Sequence, residues 1–240
     1  MSFLLACGIT VLILQLSVFF TTIYLHRTLT HRGLELHPLV AGWMHLHLAL
    51  FTGIVPREWA AVHRKHHHFS DKPGDPHSPY VDGLWRVFLL NFWLYRREAK
   101  NRETVRKYTP DYRRDWVDRI PYLPYWGVMA GLGIFTAMFG LWGGLAAWGF
   151  HIVAYILLNA AINSFCHMVG YRNYDNKATN IQWVAWLTGG EGLHNNHHQD
   201  PTSAKLAFQP FEFDPAWPAI RMLERLGLAR VKRALAAKAA

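Results

Sequence analysis

Residues Phe3 to Leu25 carry no Asp, Glu, Lys or Arg. A helix of that length, rising 1.5 Å per residue, crosses the ~30 Å hydrocarbon core of a bilayer. No other feature limits the fold as much, because such a run is either a membrane span or a cleaved signal. A signal peptide needs a basic leader and a small-residue cleavage site. This run has neither, and cleavage would fall against His26. It therefore reads as a retained span. No Lys or Arg precedes it and Arg27 and Arg32 follow, so its C-terminal end is expected on the cytoplasmic side.

The remaining chain alternates apolar and charged blocks, a pattern that a 51% hydrophobic composition alone does not reveal. Pro38 to Val55 is apolar but short and carries His45 and His47, so 38–55 reads as a re-entrant or in-plane helix. Residues 57–120 form a cytoplasmic block dense in Lys and Arg, with the turn-rich Asp71–His77 loop and an aromatic stretch, Tyr80 to Tyr95, suited to the membrane interface. Residues 121–166 are long enough for a two-span hairpin, with Gly140-Leu141-Trp142-Gly143-Gly144 as its turn. Residues 167–240 return to the cytoplasm through a polar linker, Tyr171 to Ala185, and end in a basic amphipathic stretch, Ala216 to Leu235. The fold expected is one all-α integral membrane domain over 1–240. It has about three spanning helices, one re-entrant or in-plane helix and a cytoplasmic helical cap. The net charge of +9 lies beside the apolar runs without a basic, aromatic-interleaved stripe, so no nucleic-acid partner is expected. Cys7 and Cys166 both sit in apolar segments, which excludes a disulfide framework and a thiolate metal site.

Fifteen histidines are the anomaly of the composition, and most fall in clusters. His63, His66 and His67 share one helical face, as do His194, His197 and His198. Asn163 and His167 form a similar pair, four residues apart at the end of the last span. His26 and His31, five apart, would diverge by about 140° on a regular α-helix, so they serve different ions or the helix ends between them. Together with His167 these make nine candidate ligands, too many for one tetrahedral zinc and suited to two ions with positions left open. Imidazole accepts zinc, copper, iron or nickel, so ligand type does not name the metal.

The set His26-Arg27-Thr28-Leu29-Thr30-His31, His63-Arg64-Lys65-His66-His67 with Asp75-Pro76-His77, Asn163-x3-His167 and Gly190-Glu191-Gly192-Leu193-His194-Asn195-Asn196-His197-His198 resembles the integral-membrane fatty acid desaturases. The likeness is to their acyl-CoA Δ9 (stearoyl-CoA-like) branch of bacterial type, and it covers nearly the whole chain. It implies a non-haem di-iron centre held by His26, His31, His63, His66, His67, His167, His194, His197 and His198, with Asn163 reaching one iron through water. No catalytic residue beyond that centre is implied. The resemblance also implies O2 as co-substrate, a fatty acyl-CoA or acyl-lipid substrate gaining a cis double bond, and location in a bacterial inner membrane with the site on the cytoplasmic face. Two electrons must come from an external donor of ferredoxin, rubredoxin or cytochrome b5 type, since no such segment is fused here.

Asp75, His77 and Glu191 are candidates to orient ligand imidazoles, against plain turn or helix-start roles. Arg57, Arg64 and Lys65 are candidates to contact a head group, against solvated charge. His37, His45, His47 and His151 read as structural histidines, and Trp59 and Trp85 as packing or interface anchors. His68 offers a second register, His63 with His67 and His68, the spacing of related hydroxylases. The family carries another span before the first cluster, so a partner chain or lipid is expected to cover that flank. The other readings are a membrane hydroxylase or ketolase on alkane, sterol or carotenoid, and a non-catalytic metal-binding membrane protein. Transport is disfavoured because the expected spans carry almost no charge.

Overall fold

A computed structural model describes residues 2–235 and is almost entirely helical. Helix α1 (Phe3–Phe20) runs on without a break into a π-helical segment, Thr21–Thr30. The hydroxyls of Thr28 and Thr30 donate to the carbonyls five residues earlier, of Ile23 (2.8 Å) and Leu25 (2.7 Å). The backbone N–H of His31 likewise donates to His26 O at 3.0 Å. These i→i+5 bonds widen the winding to about 4.4 residues per turn, so side chains five apart diverge by roughly 50° instead of 140°. That corrects the expectation for His26 and His31, which share one helical side, their rings 4.7 Å apart.

After the short strand β1 (Leu34–Leu36), helix α2 (Pro38–Phe51) and helix α3 (Pro56–Phe69) form a pair bent by 92°. The tip of the bend packs into the hairpin described next: a side chain on Gly53 would meet Val128, and one on Gly131 would strike the backbone of Leu50. From there α3 returns to the end of the bundle where α2 began, and the ring of His63 lies 5.1 Å from that of His31. Helices α4 (Pro79–Asp82), α5 (Leu84–Ala99) and α6 (Arg102–Tyr108) follow at that end. Helix α5 buries Val87, Asn91 and Leu94 and turns Trp85, Leu89 and Trp93 outward.

Helix α7 (Leu123–Met168) is interrupted at Gly140, whose φ of 73° and ψ of 172° suit only glycine. There the chain doubles back. The backbone of Gly144 lies against Phe135 and Thr136, and the rings of Phe135 and His151 are 5.8 Å apart. In a straight helix those two residues would be about 24 Å apart. The arms 123–139 and 141–168 thus form an antiparallel hairpin. Its second arm ends at the same end of the bundle as α1 and α3. Two helices among the described residues are long and apolar enough to cross a membrane, Phe3–Thr30 and Tyr125–Met168. The bent α2–α3 pair is a third if it counts as one span.

The C-terminal part caps this end. Helix α8 (Gln182–Leu187) begins inside the expected polar linker, and α9 (His194–Gln199) carries the third histidine cluster. Helix α10 stops at Arg225 (Ala216–Arg225), short of the stretch drawn to Leu235. Gly227 turns the chain with φ +71°, and β2 (Ala229–Val231) pairs antiparallel with β1, Leu34 opposite Val231. Ile23, Leu25, Leu34, Leu48 and Ile220 pack together beneath this join, tying the chain's end to the π-helical segment.

Candidate metal centre

Two groups of imidazoles converge where the π-helical segment, α3, α7 and α9 meet. One contains His26, His31, His63, His67 and His197, the other His66, His167, His194 and His198. Helices α3 and α9 each serve both groups, because adjacent positions on one helix point some 100° apart. In the first group the Nε2 atoms of His26 and His197 are 3.1 Å apart, of His67 and His197 2.8 Å, and of His63 and His67 3.1 Å. In the second, Nε2 of His194 lies 3.0 Å from that of His167 and 3.1 Å from that of His198, which is 3.3 Å from His66.

Carboxylates stand behind several of these rings. Asp75 accepts from His66 Nδ1 at 3.0 Å, and Asp71 Oδ2 lies 2.7 Å from His167 Nδ1. Glu191 Oε1 lies 2.8 Å from His26 Nδ1 and also accepts from the hydroxyl of Thr22. Burial pushes the carboxyls of Asp71 and Asp75 up, but the charge and hydrogen bonds of His167 and His66 outweigh it and hold both below the usual carboxylate range. An ionised acceptor fixes the proton of its imidazole on Nδ1 and turns a bare Nε2 lone pair inward. Burial, reinforced by neighbouring imidazoles, also drives His194, His197 and His198 well below the ordinary histidine pKa.

Converging lone pairs repel unless a cation lies between them, and this donor set fits a metal. With nitrogen–metal bonds of about 2.1 Å, ligands at right angles lie about 3.0 Å apart and tetrahedral ones about 3.4 Å. The observed spacings of 2.8 to 3.3 Å fall in the range that ligands of one ion would show. His31 Nε2 is buried without a hydrogen-bond partner in the first group. The Nδ1 atoms of His194 and His197 also lack one, so carboxylate support is uneven across the set.

A cavity of about 450 Å³ runs from His26, His63 and His194 down between the helices to Val128, Trp148 and Ile152. Asn163 lines it and donates to Asn91 Oδ1 at 3.3 Å. Trp59 stacks on His63 with ring centroids 4.9 Å apart, and His77 on His66 at 4.7 Å. His68 is exposed and turns to Phe69 and Tyr108, away from both groups, which removes the alternative register. Arg64, expected at a head group, instead clamps the chain: it bonds both oxygens of Asp111 and the carbonyls of Leu29, Thr30 and Tyr108. Lys65 is likewise taken up by Glu98 at 2.7 Å, and Arg57 Nε donates to Thr109 at 3.2 Å.

The histidines read as structural all have such partners. His37 caps α2, His47 meets Ser17 at 2.9 Å, and His151 meets the carbonyl of Phe51 at 3.1 Å. His45 lies 2.9 Å from Asp115, itself bonded by Tyr24 and the backbone of its own turn.

Three supports escaped the sequence reading. Asp71 lies in the same turn as Asp75, and its spacing from the second cluster was the available signal. Asn91 sits in an aromatic helix without any motif. Arg27, 1% exposed, makes a two-pronged pair with Asp214 (2.8 and 3.0 Å) and also bonds the carbonyls of Gly189 and Ala204. Gly190, at φ +102°, is required beside it, since a Cβ there would strike Asp214 and Arg27.

Residues 2–222 match the family model described as Fatty acid desaturase. The chain is 33% identical over 216 residues to the sn-1 stearoyl-lipid 9-desaturase of Anabaena variabilis, covering 87% of this chain and 76% of the relative. It is 32% identical over 225 residues to the Delta-9 desaturase-like 5 protein of Arabidopsis thaliana (85% and 69% covered). It is 34% identical over 223 residues to the Acyl-CoA 5-desaturase AL21 of Anemone leveillei (88% and 66% covered). Two converging sets of imidazoles over an apolar cavity, in a helical membrane fold matched over residues 2–222, have one reading: the chain belongs to the fatty acid desaturase family and is an oxidoreductase of fatty acyl chains.

Proposed function

We propose that the protein is an O2-dependent acyl desaturase of Δ9 type, inserting a cis double bond into an acyl-CoA or acyl-lipid at a di-iron centre. The observation that carries this reading is the opening of the cavity onto His26, His63 and His194. Five histidines would hold one iron; four, with Asn163 reaching through water, would hold the other. When bound, the irons would supply the oxidation: O2 takes two electrons from an external donor with two protons from water, and two hydrogen atoms from adjacent methylenes, leaving two waters and the double bond. The chain's own residues do the rest. Asp71 and Asp75 keep protons on Nδ1 of His167 and His66, so that their Nε2 lone pairs stay free to bind a metal, while the Glu191 carboxylate lies 2.8 Å from His26 Nδ1. The apolar walls bind the acyl chain, exclude water and select the carbon by position.

Arg27 and Arg32, just past the first span, support placing the centre on the cytoplasmic side, and a bacterial inner membrane is what the resemblance implies. The bent α2–α3 pair is then re-entrant, since both its ends lie at the histidine-bearing end. The exposed cations of residues 97–114 suit an acidic donor of ferredoxin, rubredoxin or cytochrome b5 type. Relatives named for lipid-linked and CoA-linked acyl chains both support the substrate class, so the carrier is left as either.

The test is mass spectrometry of membrane fatty acids, with double-bond location, in aerobic cells expressing the chain or His197→Ala. A monounsaturated product at carbon 9 that requires His197 and oxygen is the expected result. A hydroxylated product would move the chain to the hydroxylase reading. No product from folded, iron-loaded protein supplied with a donor would overturn acyl desaturation.

A further inference from the structure

Asn91 on α5 and Asn163 on the second arm of α7 face each other in the cavity wall. The Nδ2 of Asn163 donates to Asn91 Oδ1 at 3.3 Å. Asn91 is 6% exposed, and its own Nδ2 is buried without a partner. Of its two polar ends, the oxygen is therefore the one engaged with another side chain.

A carboxamide accepts at one end and donates at the other, and only the oxygen end can approach a cation or a water bound to one. Asn163 lies one turn before His167, on the same helical face, and His167 belongs to the four-histidine group. With its NH2 engaged by Asn91, the free end of Asn163 is the oxygen. Turned over, the same side chain would offer its NH2 to the histidines. Without an acceptor at position 91, the NH2 of Asn163 would be left unpaired against an apolar wall, and nothing would oppose the reversal. We propose that Asn91 is a positioning residue, whose carboxamide oxygen fixes the orientation of Asn163 so that its oxygen serves the four-histidine ion.

This rests on the reading of Asn163 given above, and the test separates the two. Protein purified with 57Fe is examined by Mössbauer spectroscopy alongside iron counting, for wild type, Asn163→Ala, Asn91→Leu, Asn91→Ala, Asn91→Asp and the double variant Asn91→Leu/Asn163→Ala. Wild type should bind two irons with distinguishable signals. Asn163→Ala should shift one signal, half of the total. Asn91→Leu and Asn91→Ala should shift the same half while still holding two irons, and the double variant should match Asn163→Ala alone. Asn91→Asp, which keeps an acceptor oxygen, should retain the wild-type pattern. If Asn163→Ala shifts half the signal and neither Asn91→Leu nor Asn91→Ala does, the positioning role is wrong although the centre stands. Signals from Asn91→Asp matching those of Asn91→Leu also overturn it, and should Asn91→Leu not fold, Asn91→Ala and Asn91→Asp decide. Fewer than two irons in wild type would bring down the di-iron reading itself.

Discussion

Replacing Arg27 with Met isolates one buried contact that ties the metal centre's first segment to its last. Arg27 is 1% exposed and Asp214 2%, and two parallel bonds of 2.8 and 3.0 Å join them. The guanidinium also holds the carbonyls of Gly189 and Ala204 at 2.9 and 2.8 Å, while Asp214 accepts from the backbone N–H groups of Leu206 and Ala216. In Arg27→Met the carboxylate stays buried without its counter-charge, and breaking such a pair costs about 3–5 kcal/mol. Asp214→Asn leaves the opposite charge stranded and should cost a similar amount, somewhat reduced because one acceptor oxygen survives. The double variant Arg27→Met/Asp214→Asn removes both charges of the pair, and Glu191, 4.0 Å from Arg27 Nε, loses the same neighbour as in Arg27→Met alone. The cost of this double variant should fall short of the sum of the singles by at least ~2 kcal/mol, the signature of residues in direct contact. Chemical denaturation in detergent, followed by tryptophan fluorescence, measures all three. Singles costing below ~1 kcal/mol, or a double variant equal to their sum, would refute the reasoning. Gly189 leads to Glu191 and His194, and Arg27 follows His26, so both single variants should also bind iron more weakly.

Asp71→Asn and Asp75→Asn replace the charged acceptors behind His167 and His66 with neutral, weaker ones, and each should weaken iron binding ~10–100-fold in chelator competition; unchanged affinity would show that these carboxylates only brace their turn. In metal-free protein, His194 and His197 resist protonation when folded but not when unfolded, so the unfolded state holds more protons below pH ~6.5 and stability must fall as pH drops. Each should contribute a loss of up to ~1.4 kcal/mol per pH unit below that point, with little change above pH ~7.5, as denaturation at pH 7.5, 6.5 and 5.5 would reveal. Gly140→Val forces a branched residue into a backbone region open only to glycine, costing roughly 1–3 kcal/mol. It should lower the yield of folded protein extracted from membranes, and wild-type yield and melting would show that the hairpin turn tolerates a side chain.

The span, the hairpin and the nine histidines were legible because each rests on a local regularity: an uncharged run, a glycine cluster, a helical spacing. What the sequence concealed is the sharing of ligands. One helical face looked like one ligand set, yet His66 and the pair His63 and His67 diverge into different groups once α9 and α7 supply the other walls. Arg64 and Lys65 looked free because their partners, Asp111 and Glu98, lie 47 and 33 residues further on. Arg27 was hidden by its setting, since a cation just past an apolar run reads as a membrane-edge charge and its carboxylate is 187 residues away. The C-terminal helix was drawn too long because periodic hydrophobicity continues past Gly227, where pairing with β1 takes over.

The wide winding of Thr21–Thr30 makes this stretch sensitive to its length as well as to the identity of His26 and Arg27. Deleting one residue between His26 and His31 would let the backbone of the segment relax to ordinary i→i+4 bonding. The two histidines would then stand four apart, about 40° from each other, but everything downstream would be rotated and drawn back by a residue. Arg27 would lose its register with Asp214, and β1 its register with β2. A single missing codon should therefore be as damaging as the loss of a ligand, and a gap at this place in a homologous sequence would mark a protein whose histidine site has changed.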